Sequence, residues 1–178
     1  MLTYLRISNF AILDEVELEF APGMTALTGE TGAGKSLILD AVSLLRGGRA
    51  PADLIRAGAD EARIEAVFAP PEGGEPARAL AERLSRLGLD VDLNREEGLV
   101  VRRIITAGKD AGGGRGRGRV YIGGQLATVQ ALSEVVGGLI DIAGQHEHQS
   151  LLDTARHLPI VDRSGVPADL LAEMAAAF

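Results

Sequence analysis

The sequence predicts an α/β fold in which antiparallel strands come first and a glycine-rich loop then joins a buried strand to an apolar helix. Three stretches carry that reading. "LTYLRISNFAILDEVELEF", residues 2–20, reads as two strands; in the second, Val16, Leu18 and Phe20 alternate with Glu15, Glu17 and Glu19, the period of a half-buried strand. "MTALT", residues 24–28, is a short apolar run of the kind that forms a buried strand, and "LILDAVSLL", residues 37–45, is an apolar helix. Between them stands "GETGAGKS", residues 29–36. The order differs from a simple doubly wound nucleotide fold, where such a loop follows the first strand.

Later elements follow from local signals. Gly47 and Gly48 stop the first helix, and residues 52–57 form a short helical piece before a strand at residues 63–68. Pro70, Pro71, Gly73 and Gly74 mark a loop. Pro76 sits where a first-turn proline is tolerated, and Leu80, Leu84 and Leu87 line one face of the helix that ends before Gly88. Residues 99–106 read as a strand, residues 107–118 as a glycine-arginine loop, and residues 119–122 as the partner strand. Gly123 and Gly124 suit a tight hairpin into Gln125 and Leu126, and Thr128 suits the N-cap of a helix through Val136. A further buried strand is expected at residues 139–142. The segment from residue 150 is mainly helical, interrupted by Pro159, Gly165 and Pro167, and its last helix carries no stop signal.

Composition bounds the function. A chain of 178 residues, 46% hydrophobic, is long enough for one domain with a core, and 3% aromatic content means that Leu, Ile, Val and Ala build it. The mean hydropathy of +0.13 agrees with a folded chain. Absence of cysteine excludes a disulfide framework and a thiolate metal site. No secretory leader and no bilayer-spanning apolar run are visible, so no membrane partner is expected and the setting is a reducing cytoplasm. A net charge of −7 speaks against wholesale electrostatic binding of nucleic acid, so any such contact is local.

The loop at residues 29–36 fits the phosphate-binding pattern of Gly, four residues, Gly-Lys, then Ser or Thr. Gly29, Gly32 and Gly34 let backbone N–H groups approach phosphate oxygens with no Cβ in the way, with Glu30, Thr31 and Ala33 completing the cradle. Lys35 reaches the β- and γ-phosphates, the Ser36 hydroxyl takes a position on Mg²⁺, and the helix that follows turns its positive end to the same phosphates. The expected ligand is a nucleotide with Mg²⁺. No hydrophobic strand ends in an acidic pair, and Asp141 in "VVGGLIDIAG" reads as a structural or polar-edge residue. In "GQHEHQ", His146, Glu147 and His148 lack the i,i+4 spacing of a zinc hydrolase. Gln145 reads instead as a glutamine-loop residue that ligates Mg²⁺ and senses the γ-phosphate.

"LRISNFAILDEVELEF" leading to "GETGAGKSLILDAVSLLRGGRA", then "VYIGGQLATVQALSEV" and "LIDIAGQHEHQSLLD", together resemble the RecN family, the SMC-like branch of ABC-type ATPases that acts in bacterial double-strand-break repair. The resemblance covers residues 1 to about 157, and "GQHEHQSLLD" is its most specific part. It implies an ABC/SMC-type P-loop ATPase head whose two halves come from the two ends of a long chain joined by an antiparallel coiled coil. Residues 1–150 would be the N-terminal lobe and residues 151–178 the helical start of the coil. The missing half would carry the signature motif, the acidic strand and the switch histidine. ATP and Mg²⁺ are the implied cofactors, with Lys35 and Gln145 as catalytic residues. The implied partners are the C-terminal half of the same head, a second head in an ATP-dependent homodimer, and DNA ends at the nucleoid. The wider SMC pattern puts a basic residue just after an "NF"-like pair; here Ala11 follows Asn9 and Phe10, so Asn9 is kept as a nucleotide-contact candidate without a charged partner. Arg49 matches the family's arginine after the first helix, as a contact to phosphate or DNA or as a solvated helix-end residue. Two other readings stand beside this one: a stand-alone phosphate-loop enzyme such as a small kinase or GTPase, and a nucleic-acid module centred on Arg115, Arg117 and Arg119.

Overall fold

The computed structural model describes residues 1–29, 34–93, 97–106, 117–142, 158, 161–162 and 166–177. The chain divides into two compact units, Met1–Ile140 and Asp141–Phe178.

In the first unit, β1 (Leu2–Phe10) and β2 (Leu13–Glu19) form the expected hairpin, followed by β3 (Glu61–Phe68), β4 (Leu99–Thr106), β5 (Arg117–Ile122) and β6 (Gln125–Ala127). They make one six-stranded sheet in the order β2-β1-β3-β4-β5-β6, antiparallel at every pairing. The register gives each face its character. One row across the sheet runs Leu18, Leu5, Ala66, Val101, Ile122, and the next runs Val16, Ile7, Ile64, Arg103, Val120, Ala127. These residues are buried on the β1, β3, β4 and β5 strands, and the helices α1 (Lys35–Leu45), α2 (Gly74–Arg86) and α3 (Val129–Val136) share their core cluster. On the opposite face the row is Glu17, Arg6, Glu65, Arg102, Tyr121, Leu126. Arg6 pairs there with Glu17 at 3.2 Å and Arg102 with Glu65 at 2.6 Å. Half-exposed pairs of this kind contribute little stability, but they keep that face wet and fix the period-two alternation.

Local chemistry explains the boundaries. α1 ends in a Schellman arrangement, with the Gly48 N–H on the Ser43 carbonyl at 3.2 Å, the Gly47 N–H on the Leu44 carbonyl at 3.1 Å, and Gly47 at φ 96°. Gly123 and Gly124, at φ 56° and 83°, provide the left-handed turn between β5 and β6. Thr128 caps α3 by accepting the Ala131 N–H at 3.0 Å. In the second unit, α4 (Ala168–Ala177) is a helix with Leu170 and Met174 exposed.

Four expectations fall short. The piece after α1 is a single 3₁₀ turn, Ala52–Leu54, and β5 starts two residues earlier than the sequence suggested. Residues 24–29 form no strand, and Met24 is 95% exposed. Residues 139–142 form no strand either. The physical reason is common to both runs: a strand is stabilised by hydrogen bonds from a neighbouring strand, and none of the six antiparallel strands pairs with either.

Candidate nucleotide-binding site

Gly34, at the start of α1, stands against Leu13 at the tip of the β1–β2 hairpin. Gly34 is buried, takes a left-handed conformation at φ 88°, and serves as the N-cap of α1. A Cβ added there would lie 3.1 Å from Leu13 Cδ2, so glycine is required by conformation and by the close approach to the hairpin. No side chain caps the helix and its first turn holds no acid. A helix start of this kind suits an anion, which the helix dipole favours. Lys35 is half-buried, and its ammonium donates to the Gly29 carbonyl, back across the loop. Ser36 is exposed beside it. A left-handed glycine cap, a helix start without an acid and a cation reaching back to Gly29 suit an anionic ligand such as a polyphosphate.

Asn9 stands at the hairpin tip, at φ 53°, with its carbonyl accepting the Arg56 N–H at 2.9 Å. It lines an open concavity of about 480 Å³ together with Arg6, Ser8, Asp60, Arg63 and Glu65. The sequence offered no basic residue for the hairpin tip; the fold brings one from 44 residues away, since Arg56 donates to the Ile12 carbonyl at 2.8 Å. Its Nε lies 3.8 Å from Asp14. No local pattern marks Arg56, because a turn at Ala52–Leu54 and the bridge between Phe10 and Ile55 deliver it.

Arg49 follows the other end of α1 and is exposed. Glu30, Thr31, Gly32, Ala33 and Gln145 lie outside the described residues, as do His146, Glu147, His148 and Arg115. Arg119 is exposed on the outer sheet face, 3.7 Å from Glu61, and Asp141 is exposed outside any strand. Among the described residues no group of acids and histidines could hold a metal by itself. No described helix is long and apolar enough to cross a membrane.

A second residue escaped sequence reading. Arg103 is 3% exposed, on the apolar face of β4, and its Nη1 donates to the Leu44 carbonyl in the last turn of α1. Burial pushes its guanidinium below the usual arginine range, and no other cause contributes. "VVRRIIT" carried the signal: two consecutive arginines in a strand put one on each face, so one had to point inward.

Comparison with known proteins agrees with this architecture. The AAA domain family profile matches residues 4–106, more than half of the chain. The DNA repair protein RecN of Halalkalibacterium halodurans is 42% identical over 168 residues, 94% of this chain and 27% of the relative. RecN of Bacillus subtilis is 40% identical over 164 residues, 92% of this chain and 26% of the relative. The chain thus spans about a quarter of the length of the curated relatives it matches. A solved chain described as "Structural biochemistry of ATP-driven dimerization and DNA stimulated activation of SMC ATPases" superposes with TM-score 0.58 at 23% identity, over 90% of this chain and 98% of that one. That likeness establishes the fold as the ABC/SMC ATPase head type. Motif, site geometry and similarity converge, and the chain belongs to the AAA domain family, where its resemblance is to DNA repair protein RecN.

Proposed function

We propose that this chain is the ATP-binding half of an SMC-like DNA repair ATPase of the RecN type. It acts in recombinational repair of double-strand breaks, by ATP-dependent dimerisation of heads and tethering of DNA ends. One observation carries the reading. The apolar run that leads into the phosphate loop, with Met24 and Leu27, is exposed and pairs with none of the six strands of the sheet. A complementary half of the head would supply the neighbouring strands and bury it. The run at residues 139–142, which leads towards Gln145, likewise joins no strand.

In this reading residues 1–150 are the half-head and residues 151–178 lead into a coiled coil. Leu170 and Met174, exposed one turn apart on α4, would begin its seam. Residues 29–36 hold the triphosphate, Ser36 and Gln145 hold Mg²⁺, and Lys35 neutralises charge on the β- and γ-phosphates. Asn9 contacts the nucleotide, and Arg49, beyond the C-terminal end of α1, a phosphate or DNA. The partners are the other half-head, a second head and DNA, in the cytoplasm at the nucleoid. A stand-alone kinase or GTPase is not favoured, because the relatives at about 40% identity are RecN proteins of which this chain is a fraction.

Positioning and electrostatics supply nearly all phosphoryl-transfer catalysis, and this chain holds only the cradle and part of the Mg²⁺ shell. It is therefore expected to hold ATP without turning it over. Phosphate release should appear only when the other half-head is added, and should rise more steeply than linearly with head concentration. Robust turnover by the chain alone, abolished by Lys35→Ala, would revive the stand-alone enzyme.

A further inference from the structure

Arg103 interrupts an otherwise apolar row, between Ile64 on β3 and Val120 on β5. It is the buried charged residue of the described core, and its Nε has no hydrogen-bond partner. No carboxylate pairs with it among the described residues. An arginine cannot shed its proton to escape this environment, and a lone buried cation opposes folding. An apolar side chain would fill the place at least as well if filling were its role. What the guanidinium alone provides is direction. Its Nη1 donates to the Leu44 carbonyl, which also accepts the Gly47 N–H, so the positive charge meets the negative end of α1. The helix has no basic residue of its own in that turn.

α1 is a lever. Its fully buried residues, Ala41, Leu44 and Leu45, all lie in its C-terminal half, while its first turn carries the phosphate loop. Apolar contacts of that kind are non-directional, whereas the hydrogen bond from the guanidinium to the Leu44 carbonyl fixes a distance and a direction. At its C-terminal end Gly47 also abuts Ser133 of α3, where an added Cβ would come within 2.7 Å of the Ser133 Cβ. A shift at this end is transmitted to Gly34 and Lys35, because a helix moves as a rigid rod.

We infer that Arg103 is a positioning residue for nucleotide binding, which sets the axial placement of α1 on the sheet, and so of the phosphate loop, through the Leu44 carbonyl. The inference rests on the nucleotide-site reading above, and the test separates the two.

In the full-length protein, a fluorescent ATP analogue with Mg²⁺ is titrated against the parent, Arg103→Met, Arg103→Lys and Lys35→Ala, and melting temperatures are measured on the same samples. Arg103→Met is expected to melt at or above the parent temperature, since a buried cation is replaced by a well-packed apolar chain. It should nonetheless bind about tenfold more weakly, the scale on which supporting partners of a site act. Arg103→Lys, which keeps a cationic donor, should bind close to the parent. Parent-like affinity in Arg103→Met while Lys35→Ala is weakened overturns the positioning role alone. Parent-like affinity in Lys35→Ala overturns the nucleotide site itself. Should Arg103→Met not fold, hydrogen exchange on the parent decides: by reciprocity of coupling, nucleotide must slow exchange in the last turn of α1 as well as the first. Unchanged exchange there overturns the inference.

Discussion

Replacing Met24 and Leu27 together by aspartate should leave this chain as stable as before and disable its union with the rest of the head. Met24 is 95% exposed and Leu27 42% exposed, so in the chain alone each change should stay within about 0.5 kcal/mol. The effect emerges only if a partner covers them. Burying a Met or Leu side chain is worth roughly 1.5–3 kcal/mol, and an aspartate in its place forfeits that and adds a desolvation penalty. Leu27 is already partly covered, so a lower estimate for the pair is about 3 kcal/mol, or about 100-fold in affinity at 1.4 kcal/mol per tenfold. The assay makes the chain and the remaining half-head separately and titrates one against the other by calorimetry, with denaturant unfolding of the chain as control. Unchanged affinity would remove the observation on which the half-head reading stands. A destabilised chain would show instead that the run is buried within this chain.

Two further outcomes test the geometry around α1 and α3. Gly47→Ala should cost about 2–4 kcal/mol in denaturant unfolding, from a left-handed alanine and the close approach to Ser133; adding Ser133→Gly should recover the packing part only, and full additivity would deny the contact. Thr128→Ala should cost about 1 kcal/mol by loss of the α3 cap, and a neutral result would mean that the Ala131 N–H finds water instead.

Elements whose stability is local were legible in the residues. The acid–apolar alternation of β2 needed only the pleat, and Leu80 and Leu84 needed only helical spacing to define the buried face of α2. Gly123 and Gly124, Thr128, and Gly47 with Gly48 each announced a turn, a cap or a stop that the structure contains. The expectation of a phosphate loop rests on a local signal of the same kind, residue types at fixed offsets along one short segment.

What the sequence could not decide is what distant segments do to one another. Its apolar run at residues 24–28 has strand character, yet strand formation depends on a neighbour, and none of the six strands of the sheet lies alongside. Arg56 reached the hairpin tip only because a 3₁₀ turn and one bridge carried it there. Between Arg102 and Arg103 the residue type is identical; the pleat and the register with Ile64 and Glu65 decided which would face Leu44 and which would face water. Composition and periodicity determined that this chain folds around an apolar sheet face, and one motif carries the expectation that it cradles phosphate. Tertiary packing alone decided which arginine is buried beneath the phosphate-loop helix, because facing, burial and partnership are properties of pairs of elements and not of either element by itself.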